Sequence, residues 1–370
     1  MQASPRSQSV TTVARTAVPL DEDAESHVAA DAAAVVARVP RPAGAERGRI
    51  LWPYLLAVVG FHLLLPLVTV PWLFSWTGLV LVPVANYFFT SMGIGAGYHR
   101  LLTHRSYDCP KWLEHLFALF GVCALQDSPA RWVVVHRLHH QHSDHQADPH
   151  SPKVSWFWGH MGWLFFENPQ LHKFSTFEHY ASDLLKDPFY FRLERGAAWV
   201  WVYAAHAALF FLAGFSAGAA TTGSWMQGVQ FGLSLVLYGV IVRTVYGWHI
   251  TWGVNSLGHM FGYRNYHTDE DSRNNWFFAL LTNGDGWHNN HHADPRSAAH
   301  GFHRWWELDV TFLTLRCLSL AGLVHDIIPR RREFAEDVAA VPALVPIAVG
   351  VAPVATVAAT LLIAAPVPLA

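Results

Sequence analysis

The chain has 370 residues, 52% of them hydrophobic and 14% charged. That balance is too apolar for an ordinary soluble domain and points to membrane spans. A formal net charge of −2 gives no reason to expect a nucleic-acid partner, and three scattered cysteines without a Cys-x-x-Cys argue against iron–sulfur, thiolate-zinc and disulfide frameworks.

Taken in order, residues 1–49 are rich in Ala, Ser, Thr, Arg, Asp and Glu without apolar periodicity, which reads as a disordered N-terminal arm. It shows no compact charged-then-apolar signal peptide. Residues 50–336 form the main unit, with apolar spans expected at about 51–70, 72–95, 197–220 and 226–251. Each is long enough for a hydrocarbon core of about 30 Å, which takes about 20 residues. Short uncharged links pair them into two hairpins. Residues 99–195 and 258–336 are two polar stretches that follow the hairpins. Residues 337–370 are an apolar tail and a candidate fifth span, weakened by Pro342, Pro346 and Pro353. The expected fold is an all-α integral membrane protein.

Basic residues orient the spans. Arg38, Arg41, Arg47 and Arg49 precede the first, Arg100, Arg105, Lys111 and Arg131 follow the second, and Arg192 and Arg195 precede the third. Neither link carries Lys or Arg. Both polar stretches and the N-terminus are therefore expected on the cytoplasmic side.

Histidine is the anomaly, with 24 residues against 25 Lys and Arg combined. His136, His139 and His140 stand at i, i+3 and i+4 in HRLHHQHSD, and His288, His291 and His292 repeat the spacing in HNNHH. On a helix that spacing gathers three imidazoles about one turn apart. Neutral imidazole is a good ligand for transition metals, whereas three dry, unliganded rings repel if protonated and waste hydrogen-bonding capacity. His99 and His104 form a looser pair in HRLLTH, and His259 closes NSLGH. Five residues on an α-helix turn through roughly 140°, so either the helix departs from α at this pair or the two bind different ions. Nine histidines exceed the demand of one metal, and two metals is the economical reading. Asn255, one turn before His259, can join directly or through water. Asp144, Asp148, Asp271 and Asp285 stand where they can bond the second nitrogens of ligand histidines. His62, His115, His172, His179, His206 and His325 read as ordinary histidines.

HRLLTH, HRLHHQHSD, NSLGH and GDGWHNNHH, in this order around two membrane hairpins, resemble the membrane fatty acyl desaturases of the acyl-CoA, delta-9 type, bacterial branch. The resemblance covers about Leu51 to Arg331. It implies four spans beneath a cytosolic cap holding two irons (Fe2+), with ligands His99, His104, His136, His139, His140, His259, His288, His291 and His292 and with Asn255 bound through water. It implies O2 as co-substrate, an acyl-CoA or lipid-bound acyl chain, and a cis double bond at Δ9 made in a bacterial cytoplasmic membrane. Asp285 departs from the family, where Glu is more usual, so its reach to a ligand is through water. The chain shows no flavin, dinucleotide or haem motif. Electrons must therefore come from an external carrier of ferredoxin, rubredoxin or cytochrome b5 type, with its reductase. Two other readings share features: a histidine-box lipid or alkane hydroxylase, and a membrane metal transporter. Tyr87 and Ser91 share a face of the second span. Tyr87 stands about 18 Å of helix from His99, where it is expected to close a substrate tunnel.

Overall fold

The computed structural model describes residues 39–330. The arm up to residue 38 and the apolar tail, with its candidate fifth span, lie outside the described residues. Among those described, the architecture is all-α, with β structure limited to isolated bridges such as Asp108 with His325. Four helices are long and apolar enough to cross a membrane: Trp52–Thr69, Trp76–Thr103, Pro188–Thr222 and Trp225–Leu257.

The second and fourth run past the ends expected at residues 95 and 251. Apolar composition marks the lipid zone, but the helix continues wherever its polar side chains find partners. Here the cap buries His99, Arg100 and Ser256. Local signals set the ends. Pro53 occupies the first turn of the first span, where no amide hydrogen is needed. The Ser75 hydroxyl accepts the Gly78 N–H at 2.9 Å and starts the second. Gly223, at φ 70°, ends the third, and the Ser224 side chain caps the fourth.

Over the most apolar window of each, 50% and 61% of the second and fourth spans are buried, against 6% and 11% of the first and third. The second and fourth are thus the inner pair, and their cap-side ends carry the polar residues. The third and fourth spans close on small residues. A Cβ at Gly214 would lie 2.8 Å from the Gly232 backbone, and one at Gly228 would lie 2.8 Å from the Phe215 carbonyl. This is the spacing by which membrane helices approach closely.

Above the spans, helix Lys111–Cys123 lies against the second span and helix Pro129–His142 crosses its end. The latter starts at Ser128, whose hydroxyl accepts the Arg131 N–H, with Pro129 in its first turn. Residues 39–49, expected as the end of the arm, are laid on the cap. The Val39 N–H donates to the Lys153 carbonyl, and the Arg41 guanidinium sits 4.9 Å from the Trp158 ring centre and 4.8 Å from that of Phe166.

Candidate metal centre

Nine imidazoles converge where the inner spans enter the cap. His99, His104, His136, His140 and His291 form one group, and His139, His259, His288 and His292 a second; within each, the ligand atoms lie within 4.8 Å of one another. None of the six histidines read as ordinary falls in either group.

The pairing of His99 with His104 comes from helix type. From Tyr87 to Thr103 the second span is π-helical, and the His104 N–H donates to the His99 carbonyl at 3.1 Å. An i to i−5 bond stacks residues five apart, so the two rings lie 5.0 Å apart and share a group. Each His-x-x-His-His box, in contrast, feeds both groups. His136 and His140 go to the first and His139 to the second; His288 and His292 go to the second and His291 to the first.

Hydrogen alone cannot satisfy this packing. His291 Nε2 lies 2.9 Å from both His99 Nε2 and His140 Nε2. A ring nitrogen offers one hydrogen or one lone pair, so it serves one partner. A cation between the three serves all. His104, His139 and His292 each bury an unpartnered Nε2, and His288 and His291 an unpartnered Nδ1. Each such atom costs about 1–3 kcal/mol if left unmet. An all-imidazole donor set of this kind fits a divalent transition metal.

Carboxylates orient several rings from behind. Asp148 Oδ2 lies 3.0 Å from His139 Nδ1, and Asp144 Oδ2 2.9 Å from His259 Nδ1, which leaves each Nε2 aimed inward. Burial would raise the Asp144 carboxyl, but the facing His259, the Asp271 N–H and the Ser151 hydroxyl hold it well below the usual carboxylate range. Burial lowers His259, yet Asp144 and Glu270 outweigh it and push it up to about 9. His136, His140, His288, His291 and His292 fall well below the ordinary histidine value, first through burial and then through neighbouring imidazoles. Asp285 lies 3.9 Å from His99 Nδ1, beyond a direct hydrogen bond, and 3.0 Å from Arg100. The Asp271 side chain pairs with Lys153 and touches no ring; its backbone N–H steadies Asp144.

The family profile described as fatty acid desaturase matches residues 71–319. The chain is 40% identical over 259 residues to the sn-2 palmitoyl-lipid 9-desaturase of Nostoc sp. (strain 36), covering 70% of this chain and 84% of that protein. It is 37% identical over 276 residues to the sn-1 stearoyl-lipid 9-desaturase of Synechocystis sp., covering 75% and 80%. It is 39% identical over 278 residues to an acyl-CoA 5-desaturase of Anemone leveillei, covering 74% and 78%. The chain belongs to the fatty acid desaturase family. It is an oxidoreductase acting on fatty acyl chains.

The desaturase carries a cavity of about 670 Å3 walled by Trp132, Trp163, Trp248 and Trp252, which reaches His136 and Asn255. Tyr87 and Ser91, expected at the end of a tunnel, do not line it. The Tyr87 hydroxyl bonds Thr314 at 2.6 Å, and Ser91 accepts from Asn283 at 2.7 Å. Sequence reasoning passed over His300, which is fully buried with Nδ1 3.3 Å from Asp285 and its ring 4.4 Å from that of His291. It also missed Glu270, 3.7 Å from His292 Nδ1. Neither has a box spacing; the signals were a run of acids in DED and a histidine following a box.

Proposed function

We propose that this desaturase holds two irons, one in each histidine group, and inserts a cis double bond at Δ9 of a saturated acyl chain. The observation that carries the reading is the His291 nitrogen shared between His99 and His140 beside an apolar cavity that ends at His136. The balance is R–CH2–CH2–R′ + O2 + 2 e− + 2 H+ → R–CH=CH–R′ + 2 H2O. Bound iron would supply the hydrogen abstraction and O2 reduction that no side chain can perform on an unactivated alkyl carbon. His99, His104, His136, His140 and His291 would hold one iron, and His139, His259, His288 and His292 the other, with Asn255 reaching the second through water. Asp144 and Asp148 fix the tautomer of His259 and His139, and Asp285 supports His99 through water. The tryptophan walls exclude bulk water and hold the chain against the His136 side of the centre.

The cap faces the cytoplasm of a bacterial cytoplasmic membrane in this reading, with residues 50–336 as the catalytic unit. A second opening, of about 960 Å3, reaches His140 and His292 from the cap surface. It offers an external electron carrier an approach to one ligand of each group. The names of the relatives, which act on acyl-lipid or acyl-CoA chains, support the reaction class. The test is fatty-acid analysis by gas chromatography after expression in a host without its own desaturase. A Δ9 cis monoene is expected; hydroxylated chains or an unchanged profile would contradict the reading.

A further inference from the structure

The cap-side opening of about 960 Å3 ends on His140 and His292, one ring from each histidine group. The tryptophan-walled cavity reaches the same centre from the spans, at His136 and Asn255. The two offer a cation different surroundings. Trp132, Trp163, Trp248 and Trp252 line the walled cavity, and taking an ion out of water into apolar surroundings costs several kcal/mol even after relaxation. Its two acids, Asp127 and Glu194, share Arg131 at 3.5 and 3.8 Å. The cap-side opening is lined by His145, His267, Asp269, Glu270 and Asp294, with no lysine or arginine among its lining residues. Arg264 stands behind this loop, where its Nη2 donates to the Thr268 and Glu270 carbonyls.

The donors of the opening differ in depth. His145, His267 and Asp269 are exposed. The His145 Nδ1 lies 2.7 Å from the Ser143 carbonyl. A carbonyl only accepts, so the neutral ring carries its hydrogen there and presents a lone pair at Nε2. Glu270 is buried, held by the Ser272 N–H and hydroxyl, with Oε1 3.7 Å from His292 Nδ1. The His292 side chain is only 3% exposed, and its Nε2 is buried without a hydrogen-bond partner. A divalent ion with six waters occupies about 180 Å3 at about 30 Å3 per water, so the opening admits it whole. The ion can then exchange water for carboxylate and imidazole one donor at a time.

We propose that both metal ions load through the cap-side opening, with His145, His267 and Asp269 as entry donors and Glu270 as the point of hand-over to His292 and His140. This rests on the two-iron reading and adds the route by which the centre is filled. A hydrated cation travels along carboxylate and imidazole donors from the aqueous face, and the tryptophan-walled cavity is left to the acyl chain.

The test is the rate of Co2+ uptake by the full-length protein after chelator stripping, followed by the visible absorption of imidazole-bound cobalt. Asp269→Asn should slow uptake about three- to tenfold at low ionic strength and leave the final number of ions per chain unchanged. Asp326 is exposed and lies outside the opening, so Asp326→Asn should leave the rate unchanged. His267→Cys capped with a bulky maleimide should load more slowly still than Asp269→Asn, measured against wild type treated with the same reagent. Each trace gives a rate and an end point, so a misfolded fraction lowers the amplitude and leaves the rate. An unchanged rate in Asp269→Asn or in the capped protein would overturn the proposal, as would equal slowing by Asp326→Asn and Asp269→Asn. An end point below two ions per chain, with rates that follow the opening, would support the route and fault the two-iron reading alone.

Discussion

The two histidine groups are built from the same boxes in opposite proportion, and they are held in different ways. The second group is braced by cap carboxylates: Asp148 behind His139, Asp144 behind His259, and Glu270 between His259 and His292. The first leans on the membrane helix. His99 and His104 are aligned by the π-helical end of the second span, and the Asp285 near His99 is itself gripped by the buried Arg100. Ligand spacing alone therefore does not define a metal site. What the second nitrogen of each ring touches decides how firmly, and with what charge, the ring is presented.

The largest effects should come from removing a box histidine, which opens the group that ring belongs to. His139→Ala, His140→Ala, His291→Ala and His292→Ala should each remove turnover while membrane insertion, read by protease protection, is retained. Full activity in any of the four would contradict the assignment of that ring. Next come the braces. Asp144→Asn or Asp148→Asn should weaken metal retention in the second group by about 10–100-fold, with the first group's ion kept, so chelator titration should become biphasic. Simultaneous loss of both ions would mean the groups are not separately braced.

Proton release sharpens the contrast further. In the metal-free protein His259, raised to about 9 by Asp144 after the cost of burial, is protonated at neutral pH and must lose its proton to bind metal. Affinity at the second group should therefore fall about tenfold per pH unit below about 9. His136, His140 and His291, held well below the ordinary value by burial and by one another, are already neutral there. A pH-indicator dye should register proton uptake by the buffer for the second ion and little for the first. The smallest effect expected is at Tyr87. Tyr87→Phe loses the bond to Thr314, which costs about 1 kcal/mol of stability, and should leave the product chain-length profile unchanged. A shift in that profile would put Tyr87 at the end of the acyl path after all.

The nine histidines that converge were legible in the sequence because the spacing within a box is local and survives without knowledge of the fold. The sharing of each box between two groups was not, since it depends on where the second span and the short helix His288–Ala293 meet helix Pro129–His142. The placement of His99 beside His104 was left open because helix type is invisible in HRLLTH; only the widened backbone resolves it. The four spans were readable from apolar length, but their cap-side ends were not, because burial of His99, Arg100 and Ser256 is a tertiary event. The same applies to His300 and Glu270, which meet the centre only after folding. Tyr87 and Ser91 share a helix face as expected, yet that face meets Thr314 and Asn283 rather than the tryptophan-walled cavity.

The central claim is that each group holds its own iron. Metal analysis of the purified, fully active enzyme tests it most directly, when paired with the same analysis on Asp144→Asn after mild chelation. Two irons per chain are expected in the wild type and one in the chelated variant, with activity lost together with the first iron removed. Full activity at one iron per chain or fewer would contradict it.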